Sequence, residues 1–345
     1  MDLHIDECAS CRQTVAVLVG GGARTKRART SPLAPASQPT PPSPRLTVGA
    51  HLSGRYRVLR MVGRGGMGEV YEVEDELLRE RVALKVLSAE LEGNNRANRR
   101  LKRELGLARR ITHPNVCRVF DLGEDGGLLF VTMELLQGET LARRLRVRPR
   151  LAQVAQRRIA AQICAGLAAA HEAGVIHRDL KSENVLLHAP PVDSQDAGRV
   201  SAEEEVGDEI DRATRAVVMD FGLARSAVEV PLAGDDSTTL RGTVIGTLTH
   251  AAPEQLLGHP VTVAADIYAL GILLFELVTG GSVPFPARTA AEAIHLRLRK
   301  QAPSPRAVEP AVDPIWEKAI LRCLEREPLN RFPSVAAAVD ALWPT

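Results

Sequence analysis

The residues with the clearest chemical potential lie between His177 and Asn184, where the chain reads His-Arg-Asp-Leu-Lys-Ser-Glu-Asn. This segment places a carboxylate, an ammonium and a carboxamide within six residues, and phosphoryl transfer needs all three groups. Asp179 can accept a hydroxyl proton, Lys181 can neutralise a transferring phosphate, and Asn184 can hold a metal ion. Such a segment works only with partners that hold a phosphate donor.

A glycine-rich stretch upstream is the first such partner, because Gly63 to Val70 reads G-x-G-x-x-G-x-V. A dinucleotide-binding fold carries a similar pattern, but it needs a helix after the glycines and an acidic residue about 20 positions further on. Here Glu69 to Glu74 alternates apolar and polar residues like a strand, and the residue 17 positions past Gly68 is the basic Lys85. The pattern therefore predicts a strand–glycine–strand hairpin whose backbone lies over phosphates, where a Cβ would prevent close approach.

Lys85 lies within a short apolar run, Val82 to Leu87, 22 residues after Gly63. Taken alone, a lysine in a strand is more often at a solvated edge, but its apolar neighbours indicate a cation that points inward. A buried ammonium needs an anion. Glu104 is the only acid in the basic helix candidate from Asn95 to Arg110, so we expect it to face Lys85.

A second metal-binding position follows the catalytic segment. The apolar run Val217 to Met219 ends in Asp220-Phe221-Gly222 and presents a carboxylate beside Asn184. One or two oxygen side chains together with substrate phosphates suit Mg²⁺. Further on, Ala252-Pro253-Glu254 precedes an apolar helix that Asp266 opens.

In this order the motifs resemble those of the eukaryotic-like (Hanks-type) protein kinases of bacteria, from about Tyr56 to Leu342. The resemblance implies an α+β bilobal fold, with a small, mainly β N-lobe that has one helix (56–134) and a larger, mainly α C-lobe (139–342). It also implies transfer of the γ-phosphate of ATP, with Mg²⁺, to protein hydroxyls in bacterial signal transduction.

The resemblance assigns roles to individual residues. Catalytic roles fall on Asp179, Lys181, Lys85, Glu104 and Thr247, and magnesium binding on Asn184 and Asp220. ATP contacts fall on Val62, Gly63, Gly65, Gly66, Met67, Gly68, Val70, Ala83, Lys85, Glu134, Leu136 and Leu186. Met133 would be the gatekeeper beside the adenine-binding hinge, and Glu254 is expected to pair with Arg331.

The acceptor and its control are also implied by resemblance. Lys181 and Thr247 are similar to residues of serine/threonine kinases, whereas His250 replaces the usual tyrosine and leaves the peptide preference open. Arg178 before the base implies control by phosphorylation of the activation segment, and Thr239 and Thr243 match autophosphorylated positions. The alternative is an ordinary hydroxyl-rich loop.

Two segments differ in composition from the kinase-like part. Residues 20–55 are rich in Pro, Arg, Ser and Thr, which predicts a disordered linker. An acidic insertion at about 189–214 has eight acids and one arginine between Asp193 and Asp211. Its length and polarity predict a disordered surface excursion that is either inert or a docking site for a basic partner.

The first 19 residues contain a possible metal site. His4, Cys8 and Cys11 are spaced i, i+4, i+7, which places them on one helix face, and one imidazole with two thiolates suits zinc. The pattern resembles part of the zinc-binding anti-sigma-factor motif, whose fourth ligand comes from an upstream helix. Only three residues precede His4, so the site is open, the start is misassigned or the element is vestigial. A frayed helix with two spare thiols is the alternative.

Composition agrees with a cytoplasmic enzyme: 345 residues, 45% hydrophobic and a formal net charge of +2, which gives no broad reason to expect nucleic-acid binding. Cys117, Cys164 and Cys323 are scattered singly, which indicates core thiols rather than disulfides. No apolar run reaches the length of a transmembrane helix.

Three hypotheses follow. The first is an active serine/threonine kinase, for which the resemblance implies a transient homodimer during trans-autophosphorylation. The second is a pseudokinase with a scaffolding role, and the third is a metal or redox sensor with a kinase as its output. The presence of every catalytic residue favours the first.

Overall fold

The computed structural model describes residues 45–65, 68–87, 95–189, 213–221, 250–287 and 289–344. Its strands are β1 (His51–Leu52), β2 (Tyr56–Gly65), β3 (Gly68–Asp75), β4 (Glu80–Leu87), β5 (Val119–Asp125), β6 (Leu128–Met133), β7 (Gly138–Thr140), β8 (Val185–His188) and β9 (Arg215–Val218). Its α-helices are α1 (Asn95–Ala108), α2 (Leu141–Val147), α3 (Gln153–Glu172), α4 (Pro253–Leu256), α5 (Val263–Thr279), α6 (Ala290–Arg299), α7 (Pro314–Cys323) and α8 (Val335–Leu342). Short 3₁₀ turns span Ser182–Asn184, Pro305–Ala307 and Pro328–Asn330.

An antiparallel six-stranded sheet, in the order β1-β2-β3-β4-β6-β5, forms the N-lobe. Successive side chains of a strand point to opposite faces, and both faces of β4 are buried from Val82 onward. Val82, Leu84 and Val86 pack into the outer core of the sheet. Ala83 faces the other way and packs with residues of the C-lobe. Lys85 lies on the same face as Ala83 and is thereby directed into the cleft between the lobes.

Helix α1 covers one face of this sheet. Leu101 and Leu105 are four positions apart, so they lie on one side of the helix and pack against Leu129 and Val131 of β6. Their burial fixes the rotation of α1 and therefore the direction in which Glu104 extends.

Helices α3 and α5 form the centre of the C-lobe. Ile159, Ile163 and Leu167 of α3 recur at four-residue spacing and pack into the main core. Helix α5 is buried all round from Ala265 to Val278, as expected for a central helix. The three-stranded sheet β7-β8-β9 packs against this helical body, and β8 begins directly after the catalytic segment.

A buried ion pair joins helix α4 to the residue that follows the Pro328–Asn330 turn. The Arg331 guanidinium donates two hydrogen bonds to the Glu254 carboxylate, at 2.7 and 2.8 Å, which confirms the predicted pair. The same guanidinium also donates to the carbonyls of Glu325, Arg326 and Ala264. A buried charge is tolerated only with such complete pairing.

The boundary of the predicted linker needs correction, because residues 45–55 belong to the N-lobe. Leu46 and Leu52 are buried in its outer core, and β1 pairs with β2. Residues 20–44 of the predicted linker lie outside the described residues, as does the acidic insertion from 190 to 212. Within the described ranges, no helix combines the length and apolarity needed to cross a bilayer.

Candidate active site

Asp179 lies at the centre of a closely bonded group in the catalytic segment. Lys181 Nζ donates to Asp179 Oδ2 at 2.8 Å, and Asn184 Nδ2 donates to the same oxygen at 3.2 Å and to the Asp179 carbonyl at 2.8 Å. Asp179 Oδ1 receives no hydrogen bond from the residues that the structure describes. The sequence-predicted base, lysine and amide are therefore in contact, and one carboxylate oxygen of the base is free to take a proton.

Buried bonds beneath the surface hold this segment in an unusual backbone conformation. Arg178 has φ +67°, a left-handed value that costs free energy for a non-glycine residue. The backbone N–H groups of His177 and Arg178 each donate to the buried Asp266 carboxylate of α5 at 2.7 Å. His171 Nε2 also contacts this carboxylate, at 2.8 Å. Asp266 thus compensates the cost and fixes the direction of Asp179.

The imidazole of His177 supports the segment from the opposite side. Its Nδ1 accepts a hydrogen bond from the Asp179 N–H, which assigns the ring proton to Nε2. Nε2 then donates to the Met219 carbonyl at 2.8 Å, one residue before Asp220. The Met219 N–H donates to the Asn184 carbonyl at 2.8 Å, and Asp220 follows Met219 in the chain. The two predicted magnesium ligands are therefore next to each other.

Lys85 bonds Asp220 rather than Glu104. Its Nζ lies 2.7 Å from Asp220 Oδ1, and the lysine side chain is only 5% exposed. Asp220 also has a left-handed φ of +61°, which turns its carboxylate toward β4. The predicted Lys85–Glu104 pair is not formed between these two residues in this structure.

Glu104 instead pairs across the lobes with Arg178, whose Nη1 lies 2.7 Å from Glu104 Oε1. Glu104 and Arg178 are both partly buried, and a charge removed from water needs a partner of opposite charge. Arg178 therefore pairs with Glu104, and Lys85 pairs with Asp220. The Nε–H of Arg178 is buried and has no hydrogen-bond acceptor within the described part of the chain. This guanidinium therefore keeps a donor for a further anion.

The glycine-rich hairpin arches beside Lys85 as predicted. Gly65 pairs with Gly68 across its tip, and Val70 pairs with Lys85 on β4. Gly68 has φ +127°, and a Cβ there would lie 2.0 Å from the Val86 carbonyl oxygen, so only glycine fits. Val62 and Gly63 lie on β2 of the same hairpin. Gly66 and Met67 lie outside the described residues.

An apolar cluster forms the floor of the cleft between this hairpin and the hinge. Ala83, Met133 and Val217 are buried in it, and Val70 and Leu136 pack against them. Cys117, Val217 and Met219 belong to the same cluster, although the sequence predicted no place in the cleft for them. Leu186 is half-buried on β8, opposite Val217.

The hinge itself is held by backbone and side-chain bonds of Glu134. Its N–H donates to the Arg118 carbonyl at 2.9 Å, and its carboxylate pairs with Arg215 at 2.5 Å. Burial raises the pKa of the neighbouring Cys117 thiol far above its usual range. An apolar, uncharged floor next to a polar hinge suits the base of a nucleotide.

The remaining predicted site residues lie outside the described residues. They are Thr239, Thr243, Thr247, His4, Cys8 and Cys11. His250, the residue in place of the usual tyrosine, is buried, and its Nε2 lies 3.1 Å from Glu276 Oε1 of α5.

Comparison with known proteins agrees with this geometry. The family model of the protein kinase domain matches residues 56–343. The chain belongs to the protein kinase family. The serine/threonine-protein kinase PknD of Mycobacterium tuberculosis is 36% identical over 294 residues, which are 84% of this chain and 40% of that protein. The serine/threonine-protein kinase PrkC of Bacillus subtilis is 33% identical over 83% of this chain and 40% of its own length. The chain thus spans about two fifths of the length of these relatives.

Solved structures show the same fold. The crystal structure of the Mycobacterium tuberculosis PknI kinase domain matches 86% of this chain and 97% of its own, with a TM-score of 0.63 and 27% identity. Membership of this family implies the use of ATP and Mg²⁺. The donor set fits that metal, because Asp220 and Asn184 offer hard oxygen ligands side by side, and Mg²⁺ prefers a sparse set of this kind.

Proposed function

We propose that this protein is an active serine/threonine protein kinase that transfers the γ-phosphate of ATP to hydroxyl groups of proteins in bacterial signalling. The observation that carries the proposal is the bonded group Asp179–Lys181–Asn184 beside Asp220. The names of the relatives agree with it, and Lys181 is the residue that resembles serine/threonine enzymes.

Each side chain has a defined task in this reaction. Asp179 orients the acceptor hydroxyl and takes its proton on Oδ1, which accepts no hydrogen bond within the described residues. Lys181, held 2.8 Å from that carboxylate, balances charge on the transferring group. Lys85 holds the phosphates of ATP from the N-lobe. Magnesium, held by Asn184 and Asp220, would neutralise phosphate charge and orient the donor.

Control by phosphorylation extends the proposal. Arg178 bonds Glu104 in this conformation and retains one unpaired Nε–H within the described residues. A phosphate on Thr239 or Thr243 would compete for this guanidinium and release Glu104 toward Lys85. Thr247 would then contact Asp179 and Lys181. Trans-autophosphorylation would need a transient homodimer.

The N-terminal element and the location of the protein are separate proposals. His4, Cys8 and Cys11 would bind zinc with one further ligand, and measurement of bound zinc in the native chain and in the Cys8→Ser, Cys11→Ser variant tests this. A cytoplasmic location follows from the use of ATP.

The central experiment compares phosphorylation of a generic basic protein by the native chain, Asp179→Asn and Lys85→Met with Mg-ATP. Loss of a general base or of a phosphate clamp lowers the rate by roughly 10²–10⁴-fold. Equal incorporation of phosphate by all three proteins would reject the assignment. Arg157→Met, a change in a partly exposed pair with Asp313 on the C-lobe, serves as the control that keeps activity.

A further inference from the structure

Arg45 and Leu46, which precede the first strand of the N-lobe, are hydrogen-bonded to the base of the glycine-rich hairpin. Leu46 is 9% exposed and packs in the outer core of the N-lobe. Its N–H donates to the Tyr71 hydroxyl at 3.1 Å, and Tyr71 is fully buried on β3. These contacts place Arg45, the preceding residue, beside the first residues of β3.

Glu69 is the point where this attachment meets the hairpin. It follows Gly68 directly, it is 6% exposed, and it accepts hydrogen bonds from the Arg45 N–H at 2.9 Å and from the Tyr71 hydroxyl. Arg64, on the other strand of the hairpin, pairs with it at 2.7 Å. Burial alone would raise the pKa of Glu69, but the bonds from Tyr71, Arg45 and Arg64 outweigh burial and lower it. The carboxylate is therefore a charged anchor for both strands.

The Arg45 side chain reaches the neighbouring strand. Its Nη1 donates to the Leu87 carbonyl at 3.0 Å, and Leu87 pairs with Gly68 across β3 and β4. Arg45 thus bonds to β3 at the base of the hairpin and to the adjacent strand β4, two positions from Lys85.

We propose that Arg45 is a positioning residue for the nucleotide, and that it sets the height of the glycine-rich hairpin above the phosphates. This inference rests on the proposed function. A hairpin that contacts phosphates through its backbone loses those bonds when its base shifts by a fraction of an ångström, because hydrogen bonds weaken steeply with misalignment. Residues 1–44 join the domain at this residue.

A purely structural role makes a different prediction. Arg55, directly before β2, provides the matched case, because its guanidinium bonds Asp75 at the end of β3 at 2.9 and 2.6 Å. Tyr56 and Asp75 lie at the end of β2 and β3 opposite the hairpin tip. Loss of either arginine weakens the sheet, but only loss of Arg45 would change the phosphate contacts.

The experiment uses full-length Arg45→Met, Arg45→Lys and Arg55→Met and measures Kd for two ligands by calorimetry. One ligand is the magnesium complex of a non-hydrolysable ATP analogue, and the other is adenosine, which has no phosphates. We expect Arg45→Met to raise the Kd of the analogue about three- to tenfold, as for loss of one hydrogen bond, and to leave the Kd of adenosine unchanged. Arg45→Lys, which can still donate to the Leu87 carbonyl, should recover most of the affinity.

Arg55→Met should lower the melting temperature without changing the ratio of the two affinities. Equal weakening of both ligands by Arg45→Met, or no weakening of either, would overturn the role of Arg45. A native chain that binds adenosine and the analogue equally would do the same. A native chain that binds neither ligand would instead reject the proposed function, and with it this inference.

Discussion

Lys85 Nζ and Asp220 Oδ1 lie 2.7 Å apart, and this bond joins the N-lobe strand that carries the lysine to the metal-binding end of the C-lobe. Glu104 meanwhile bonds Arg178. The cations Lys85 and Arg178 and the carboxylates Asp220 and Glu104 can form two alternative sets of ion pairs, and this structure shows one of them. The other pairing, Lys85 with Glu104, would leave Asp220 for a metal ion and Arg178 for a phosphate.

Phosphorylation should act through Arg178. We expect the Thr239→Ala, Thr243→Ala variant to be less active than the native chain. The same two substitutions should lower the activity of the Arg178→Met variant only slightly further. The coupling should be about 1–3 kcal/mol, because the phosphate and the guanidinium act as one pair. Initial rates of the four proteins, with phosphate occupancy measured by mass spectrometry, provide the test. Additive losses would show that phosphate and Arg178 act independently.

Asp266 should affect turnover more than nucleotide binding. Asparagine at this position keeps one acceptor oxygen but turns an amide toward an N–H of the catalytic segment, so Asp179 loses its fixed direction. We expect Asp266→Asn to lower kcat by about 10²-fold, with a smaller change in the Kd of ATP. Asp313→Asn, a change in the N-cap of α7, is the control that keeps kcat. A loss confined to ATP affinity would contradict this role of Asp266.

The Glu254–Arg331 pair should be a large contributor to stability. Arg331→Met leaves a buried carboxylate without its partner and should lower the free energy of unfolding by about 3–5 kcal/mol. The partly exposed pair Arg157–Asp313 is the comparison, and Arg157→Met should cost about 1 kcal/mol. Chemical denaturation gives both values. If Arg331→Met and Arg157→Met lower the free energy of unfolding equally, burial does not make the ion pair more important for stability.

The buried thiols should be unreactive in the folded protein. Burial raises the pKa of the Cys164 thiol to about 12 and moves those of Cys117 and Cys323 higher still. Iodoacetamide at pH 8 should therefore leave all three unmodified until a denaturant is added, as peptide mass spectrometry can show. Fast labelling of any of them in the native chain would contradict their burial.

The same shift has a consequence for stability at alkaline pH. An unfolded thiol ionises near pH 8.5, whereas folded Cys164 stays neutral up to about pH 12. Its contribution to the free energy of unfolding is complete below pH 8.5 and is lost as the pH rises toward 12. Cys164→Ala should reduce the fall in the free energy of unfolding between about pH 8.5 and 12. An unchanged fall would show that the Cys164 thiol does not cause it.

Local pattern and spacing predicted much of this site because its residues belong to short contiguous motifs. Asp179, Lys181 and Asn184 lie within one loop, so their contact follows from sequence proximity. The inward direction of Lys85 follows from the apolar neighbours on both faces of β4. The Glu254–Arg331 pair came from resemblance rather than from pattern, since 77 residues separate its members.

What the sequence could not provide depends on how the lobes meet. Glu104 has both Lys85 and Arg178 as potential partners, and only the relative position of α1 and the catalytic segment decides between them. Asp266 was read as the start of an apolar helix, although a buried carboxylate without a local partner indicates a distant donor. The linker composition also continues past the point where Leu46 enters the core.

The attachment at Arg45 and Leu46 matters for anyone who prepares this enzyme in the laboratory. Sequence comparison places the start of the domain at residue 56, and a fragment cut there would discard β1 and both of these residues. Such a fragment would expose Tyr71 and remove one of the donors to Glu69. Nucleotide affinities measured on it would describe a loosened hairpin rather than the native one, and expression should begin upstream of residue 45.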